Sequence, residues 1–293
     1  MDDVIGLGKL IEAGTGVINN VVNKIASATG ILYSDSDYKI RKEAEKKYID
    51  SVINDNSIDQ CVKLALISNH KKVFKQYRNQ MDITKIALES ITEKNSNKIK
   101  EVDDDWISYF YDNAKNISNE NIQLVWGKLL SNEINNPNSV PKSLVHTLSV
   151  ISNECAEKFN ILCKFVVSEN VPFIPYERFE EFFRSYGLTF DDLLELQKCG
   201  LVNYDGTGYA KFSKSKYIMF DIKNTIFKVK THKGKVSVGE VLFTNDGMAL
   251  YKCIKVPVDD KLLEIAESYW EDDIEQKYIE IGNDLIEVNR EEK

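Results

Sequence analysis

The sequence predicts a mainly α-helical protein with a C-terminal α+β part. Three observations carry that expectation. Apolar residues recur at helical spacing through roughly the first half of the chain, beginning with an unbroken 3-4-3-4 stripe. Two tryptophans, Trp106 and Trp126, sit on consecutive amphipathic segments. From Ile218 the period changes to two, and turn-forming triplets punctuate the chain from there on. The expected layout is long N-terminal helices, a central helical hairpin, and a winged-helix-like region with extended β-hairpins. The boundaries read as 1–34 for an amphipathic N-terminal helix, 35–100 for a charged long-helix region, and 101–293 for the hairpin plus winged-helix-like α+β domain.

In the first segment Val4, Leu7, Ile11, Gly14, Ile18, Val21, Ile25, Ala28 and Leu32 fall on one helical stripe, with Lys9, Glu12, Asn19 and Asn23 off it. Five glycines lower its intrinsic helicity by about 1 kcal/mol each relative to alanine, so such a helix needs a partner surface. A charged helix is predicted from about Asp37 to Asp55, broken at Asn54-Asp55-Asn56, with Ser57 capping the next, which continues to about Lys94. The polar stretch from Asn95 to Val102 reads as a linker.

Trp106, Ile107, Phe110, Tyr111 and Ala114 then form a stripe behind a capping Asp103 or Asp104. Ser118 is expected to cap a second helix carrying Ile122, Val125, Trp126, Leu129 and Leu130, antiparallel to the first. Asn135-Asn136-Pro137-Asn138 ends the pair, and Pro141 suits a first helical position.

From Ser152 three short helices are expected. Ala156, Phe159, Leu162, Cys163 and Val166 line one; Phe179, Phe182 and Phe183 line a shorter one. The third runs from Thr189 to Cys199, with Thr189 and Asp192 forming a capping box and Gly200 the stop. Leu201 to Tyr204 opens the β region. Ile218, Phe220 and Ile222 alternate, as do Phe227 and Val229. His232-Lys233-Gly234 turns into Val236, Val238 and Val241, and Asn245-Asp246-Gly247 turns into a last strand from Leu250 to Val256. A helix from Asp260 to Trp270 precedes a hairpin, Tyr278 to Val288, around Gly282-Asn283-Asp284.

Hydrophobic residues make up 43% and charged residues 29%, enough for a packed core beneath a solvated surface. The five cysteines are scattered, with none of the clustering that disulfide frameworks or zinc sites need, so a reducing compartment is expected. Asp2 and Asp3 stand where a secretory signal carries positive charge, and the uncharged run Ala13–Asn23 is about half the ~20 residues that span a bilayer. The expected home is a bacterial cytoplasm, with peripheral association at the inner membrane on activation. Net charge is −8, unevenly distributed: residues 1–100 carry 16 Lys and Arg against 13 Asp and Glu, leaving 22 against 33 for the rest. An acidic C-terminal two-thirds is a poor partner for phosphates.

The run Asp103-Asp104-Asp105-Trp106, then Phe110 and Ala114, then Leu124-Val125-Trp126-Gly127-Lys128-Leu129-Leu130 and Glu133, resembles the uncharacterised bacterial family called domain of unknown function 2806. Ala28 to Tyr33 with the charged run Lys39–Glu45, the Leu193–Leu196 segment with Gly200-Leu201, and Thr244 with Gly247 and Leu250 extend the similarity over most of the chain. The family's proline soon after the tyrosine is replaced here by Ser34-Asp35, and the β region from about Thr207 to Glu240 is longer. The resemblance implies no assigned enzymatic activity and, loosely, company with bacterial systems that act against phage.

Catalytic motifs are not found. His70, His146 and His232 lie far apart without ligand spacing; His146 reads as partly buried and structural, His232 as an exposed turn residue. Gly6-Leu7-Gly8-Lys9 lacks the preceding strand and the Ser or Thr of a phosphate loop. Asp103-Asp104-Asp105 is explained by helix capping and dipole compensation. Lys71, Lys72, Lys75 and Arg78 share a helix surface that reads as solvated. The recognition-like helix sets Asp191, Asp192 and Glu195 against Lys198, although Lys211, Lys214 and Lys216 could touch a backbone.

No cofactor and no metal are expected. The functional expectation is a non-enzymatic interaction protein, an abortive-infection-like antiphage sensor and effector. Its N-terminal stripe packs on its own protein, self-assembles, or disrupts membranes when triggered. A second copy of the chain, a phage protein as trigger and a membrane surface are the expected partners. A DNA-binding transcriptional regulator using the winged-helix-like region is the alternative.

Overall fold

The computed structural model describes residues 16–29, 35–90, 102–167, 171–281 and 284–288. The chain divides into two compact units, Met1–Ser149 and Val150–Lys293.

The first unit is helical: α1 Gly16–Thr29, α2 Asp35–Asn54, α3 Gln60–Glu89, α4 Asp104–Ala114, α5 Glu120–Asn135 and α6 Lys142–Val150, the last residue of which opens the second unit. Its spine is α3, 30 residues long and so about 45 Å. The C-terminal half of α3 buries Tyr77, Met81, Ile83, Ala87 and Leu88. Both tryptophan helices pack on it, α5 most extensively, and α1 packs on α4. The close approach of α5 to α3 depends on Gly127: a Cβ there would lie 2.4 Å from Ile86 Cγ2 and 2.6 Å from Ile86 Cβ.

The tryptophan helices thus belong with the long helices, and the division falls at 149/150 where the sequence suggested a boundary near 100. The reason is physical: the apolar stretch Tyr77–Leu88 needs cover, and the α4 and α5 stripes supply it. Asp103 caps α4, accepting from Trp106 N at 2.7 Å. The caps of α3 and α5 are Asp59 and Asn119, not Ser57 and Ser118; Ser57 instead donates to Asp55.

The N-terminal half of α3 pairs with α2 as a two-helix arm. Along this arm Tyr48 stacks near His70, ring centroids 4.4 Å apart, and Val52 is buried.

The second unit begins with α7 Asn153–Leu162 and a 3-10 turn Cys163–Phe165. The short strands β1 Val166–Val167 and β2 Val171–Pro172 come next, then α8 Glu180–Ser185 and α9 Phe190–Lys198. Strands β3 Val202–Phe212 and β6 Lys235–Phe243 pair antiparallel. The order is thus one helix, a pair of short strands, two helices and a long strand pair, an α+β arrangement. Between β3 and β6 are inserted β4 Tyr217–Ile222 and β5 Thr225–Lys230, which join β7 Ile274–Ile281 and β8 Asp284–Val288 in a separate antiparallel sheet, order β4-β5-β7-β8.

The expected alternation holds: Ile218, Phe220 and Ile222 on β4, and Phe227 and Val229 on β5, are all buried. Lys223 and Asn224, at φ 50° and 65°, make the two-residue turn between these strands. Trp270 closes this core, stacked 4.4 Å from Phe220 and donating from Nε1 to Ser237 O at 2.9 Å. Gly239, at φ 98°, bulges β6 so that its backbone meets Ile174; a Cβ would lie 2.4 Å from Ile174 O.

Two readings are corrected. Residues from Asn245 to Ile254 form a helix, α10, not a strand. Thr244 caps it by accepting from Gly247 N at 3.0 Å, and Ala249, Leu250 and Cys253 give its buried face. On α7 it is Cys155, not Ala156, that turns inward. The helix α11 Leu262–Tyr269 and the β7–β8 hairpin fall where the pattern placed them.

Candidate functional site

Of the stripe residues, the structure places Val21 and Ile25, with Val22, in the core where α1 packs on α4. Ile18 belongs to α1 with its side chain outside the described residues, as Val4, Leu7, Ile11, Gly14 and Leu32 lie outside them altogether. Lys24, beside the stripe, donates from Nζ to Val102 O at 3.1 Å and lies 3.5 Å from Asp104 Oδ1. A cation thus bridges the docked helix to the segment that opens α4. Asp103, Asp104 and Asp105 therefore divide their work: the first caps, the second meets Lys24, and all three lie at the positive end of the α4 dipole.

Beneath this dock sits the tryptophan motif. Trp106, Phe110, Trp126, Leu129 and Leu130 are all buried. The Phe110 ring lies 5.1 Å from both Trp106 and Trp126. Trp106 Nε1 donates to Val140 O at 2.8 Å, and the buried Glu133 accepts from Asn138 N at 2.6 Å and Val140 N at 2.9 Å. Glu133 thereby satisfies a loop whose backbone donors would otherwise be stranded. Trp126 Nε1 is buried with no hydrogen-bond partner. These side chains form the core that α4 and α5 share.

On the arm, by contrast, apolar side chains face outward. Val62, Leu66 and Val73 are 49%, 36% and 54% exposed, and Ile53 on α2 is 53% exposed. Val62, Leu66, Asn69 and Val73 have a 4-3-4 spacing, one edge of the helix. A second seam, Ile67, His70, Phe74 and Tyr77, lies about a quarter turn away and is the better covered of the two.

In the second unit, the recognition-like α9 has its capping box: Asp192 accepts from Thr189 N at 2.6 Å, and Thr189 Oγ1 accepts from Asp192 N at 3.3 Å. Lys158 reaches the same carboxylate at 3.2 Å. Burial works to raise the Asp192 pKa, but the Thr189 hydrogen bonds and the Lys158 charge outweigh it and hold the carboxyl below its usual range. Lys211 and Lys216 lie over the rings of Phe220 and Tyr217.

Two groupings were not visible in the sequence. Cys155 and Cys199, 44 residues apart, meet with Sγ atoms 3.2 Å apart. Burial, then the hydrogen bond to Cys199, pushes the Cys155 thiol up to about 12. Glu240 on β6 is buried and accepts from Glu177 N at 3.4 Å, while Glu177 accepts from Tyr204 Oη at 3.1 Å. Burial raises Glu240, and Tyr204 is pushed up to about 12 by burial and then by its bond to Glu177. The first grouping joins α7 to the C-terminal end of α9, and the second pins the loop carrying Glu177 to β6 and β3. Their spacing carries no local signal, because only the folded chain brings the members together.

His146 is exposed, where partial burial was expected; His232 is exposed and hydrogen-bonds Asp273. Among the described residues no group of three or more His, Cys, Asp or Glu could hold a metal ion. No helix among them is long and apolar enough to cross a membrane.

The family described as protein of unknown function (DUF2806) matches residues 68–265. That stretch runs from the arm through the tryptophan motif to α11. No curated protein and no solved structure matches the chain.

Proposed function

Since the chain belongs to the DUF2806 family, we propose a function that its own surfaces support: a non-catalytic interaction protein whose N-terminal helix is held in reserve. In the resting chain α1 hides its apolar stripe on α4; released, the stripe drives self-assembly or engages a membrane surface. The observation that carries this reading is the burial of Val21, Val22 and Ile25 in a dock fastened at its edge by Lys24.

Full burial of each such side chain is worth about 1.5–3 kcal/mol, and the Lys24–Asp104 pair is largely exposed and contributes at most about 1 kcal/mol. A dock of that size can be displaced by a competing surface. The antiphage sensor-and-effector setting is the cellular role we propose for it, on the family resemblance alone. The DNA-reader alternative is disfavoured by α9, where Asp191, Asp192 and Glu195 would face phosphates and Asp192 is already committed to Thr189 and Lys158.

Two variants of the full chain test the proposal in opposite directions. Lys24→Glu removes the donor to Val102 O and sets two carboxylates together while leaving the stripe intact. It is expected to release α1 and to increase self-association, or binding to vesicles of anionic phospholipid. Ile25→Glu releases α1 but spoils the stripe, and is expected to do neither. Release of α1 in Lys24→Glu with no gain in assembly or vesicle binding overturns the reading.

A further inference from the structure

We propose that the α2–α3 arm is a docking surface for a second copy of this chain, the two arms packing antiparallel about a two-fold axis near Asn69. The inference is independent of the N-terminal helix and uses residues outside that dock.

The first observation is the uncovered edge of α3. Val62, Leu66 and Val73 are each more than a third exposed, and all lie on one stripe with Asn69 at 4-3-4 spacing. That is the seam spacing of paired helices, and of the large exposed apolar side chains of α3 only Leu64 lies off it. The neighbouring seam of α3 is already occupied by α2, so the arm has one covered edge and one open edge. A two-helix hairpin with a free apolar edge closes most economically as half of a four-helix bundle.

The second observation selects the occupant and its direction. The base of the arm, 42–48 with 69–78, carries seven Lys or Arg against two Glu; the tip, 49–68, carries Asp50, Asp55 and Asp59 against Lys63. Parallel packing of two arms would set base against base and repel. Antiparallel packing sets each acidic tip on the other copy's basic base. A closed two-fold pair is also the commonest homo-oligomer, because one self-complementary patch suffices.

Register is set by the stripe. With Asn69 on the axis, Leu66 of one copy opposes Val73 of the other, and both apolar residues are covered twice over. The two Asn69 amides meet at the centre, where they can hydrogen-bond each other and penalise slipped registers.

The test uses the full chain. Analytical ultracentrifugation is expected to show a dimer that weakens with added salt, since screening shortens from about 10 Å at 0.1 M to about 3 Å at 1 M. Leu66→Glu and Val73→Glu should each weaken it by about tenfold or more, a 1.4 kcal/mol change or larger. Neither should lower the melting temperature of the monomer, because both side chains are exposed. In a Cys61→Ser background, Asn69→Cys should form an intermolecular disulfide under mild oxidation, since residues on a two-fold axis meet the ~4.4–6.8 Å Cα separation required.

A chain that stays monomeric to about 100 µM, ten times a 10 µM dissociation constant, overturns the proposal. So does a dimer indifferent to Leu66→Glu, or one in which Asn69→Cys does not cross-link. Because Lys24 and Ile25 are untouched, each of these results leaves the behaviour of α1 to its own variants.

Discussion

Replacing Gly127 with alanine sets two ordinary effects against each other, and the structure decides between them. In a helix interior alanine gains about 1 kcal/mol over glycine. Here the new Cβ would sit 2.4 Å from Ile86 Cγ2 and 2.6 Å from Ile86 Cβ, with Ala87 N at 3.3 Å. Carbon atoms pack at about 3.5–4.0 Å, and rotating Ile86 cannot move its Cβ. The α5 backbone must therefore retreat from α3 by about 1 Å, loosening Trp126, Leu129 and Leu130 together.

Overpacking of this kind costs about 1–3 kcal/mol, and with little side-chain relief the upper half applies. The net is a loss of about 1–2 kcal/mol. For a unit of this size that is a fall in melting temperature of about 2–8 °C. The assay is thermal and guanidinium denaturation of the full chain, followed by tryptophan fluorescence. A Gly127→Ala protein as stable as the parent, or more so, would refute the argument, because helix propensity would then have won and α5 could not lie so close to Ile86.

Three further outcomes are expected. Trp126→Ala should cost about 3–5 kcal/mol and show as lost protein, whereas Trp126→Phe should cost far less, since it also removes the unpartnered Nε1 donor; equal losses in denaturation would contradict this. Glu240→Gln should flatten a pH dependence. Burial raises the folded-state pKa above the ordinary 4.5, so Glu240 contributes fully below that value and its contribution falls as pH rises through the folded pKa. Stability measured from pH 4 upward should fall less steeply in the Gln variant. Hydrogen peroxide should join Cys155 to Cys199, two thiols giving a disulfide and two waters, detected by peptide mass spectrometry and absent in Cys155→Ser. The raised Cys155 pKa makes this faster as pH increases; no cross-link at high pH would mean the sulfurs do not meet.

Much of the helical structure was legible because its signals are local. The Trp106 and Trp126 stripes report burial through period alone, and Thr189 with Asp192 spells its capping box in four residues. The alternation of Ile218, Phe220 and Ile222 gave β4 for the same reason. Caps proved less certain: Ser57 and Ser118 each stand near another short polar residue, and Asp59 and Asn119 took the role. Asn245-Asp246-Gly247 reads equally as a turn or as the first turn of a helix, and only the Thr244 cap and the packing of Leu250 decide. The open edge of α3 is hidden in the sequence because two seams a quarter turn apart blur into one broad apolar face. Cys155 with Cys199, and Glu240 with Glu177, are products of tertiary folding that no spacing announces.

The central claim is that α1 rests in a dock and can leave it, and hydrogen exchange on the full chain measures this directly. Amides of residues 16–29 should be protected in the parent. In Lys24→Glu they should exchange faster, together with those of 104–114, while 120–135 stay unchanged. Exchange of 16–29 at unfolded-chain rates in the parent, or protection unaltered by Lys24→Glu, would contradict the account.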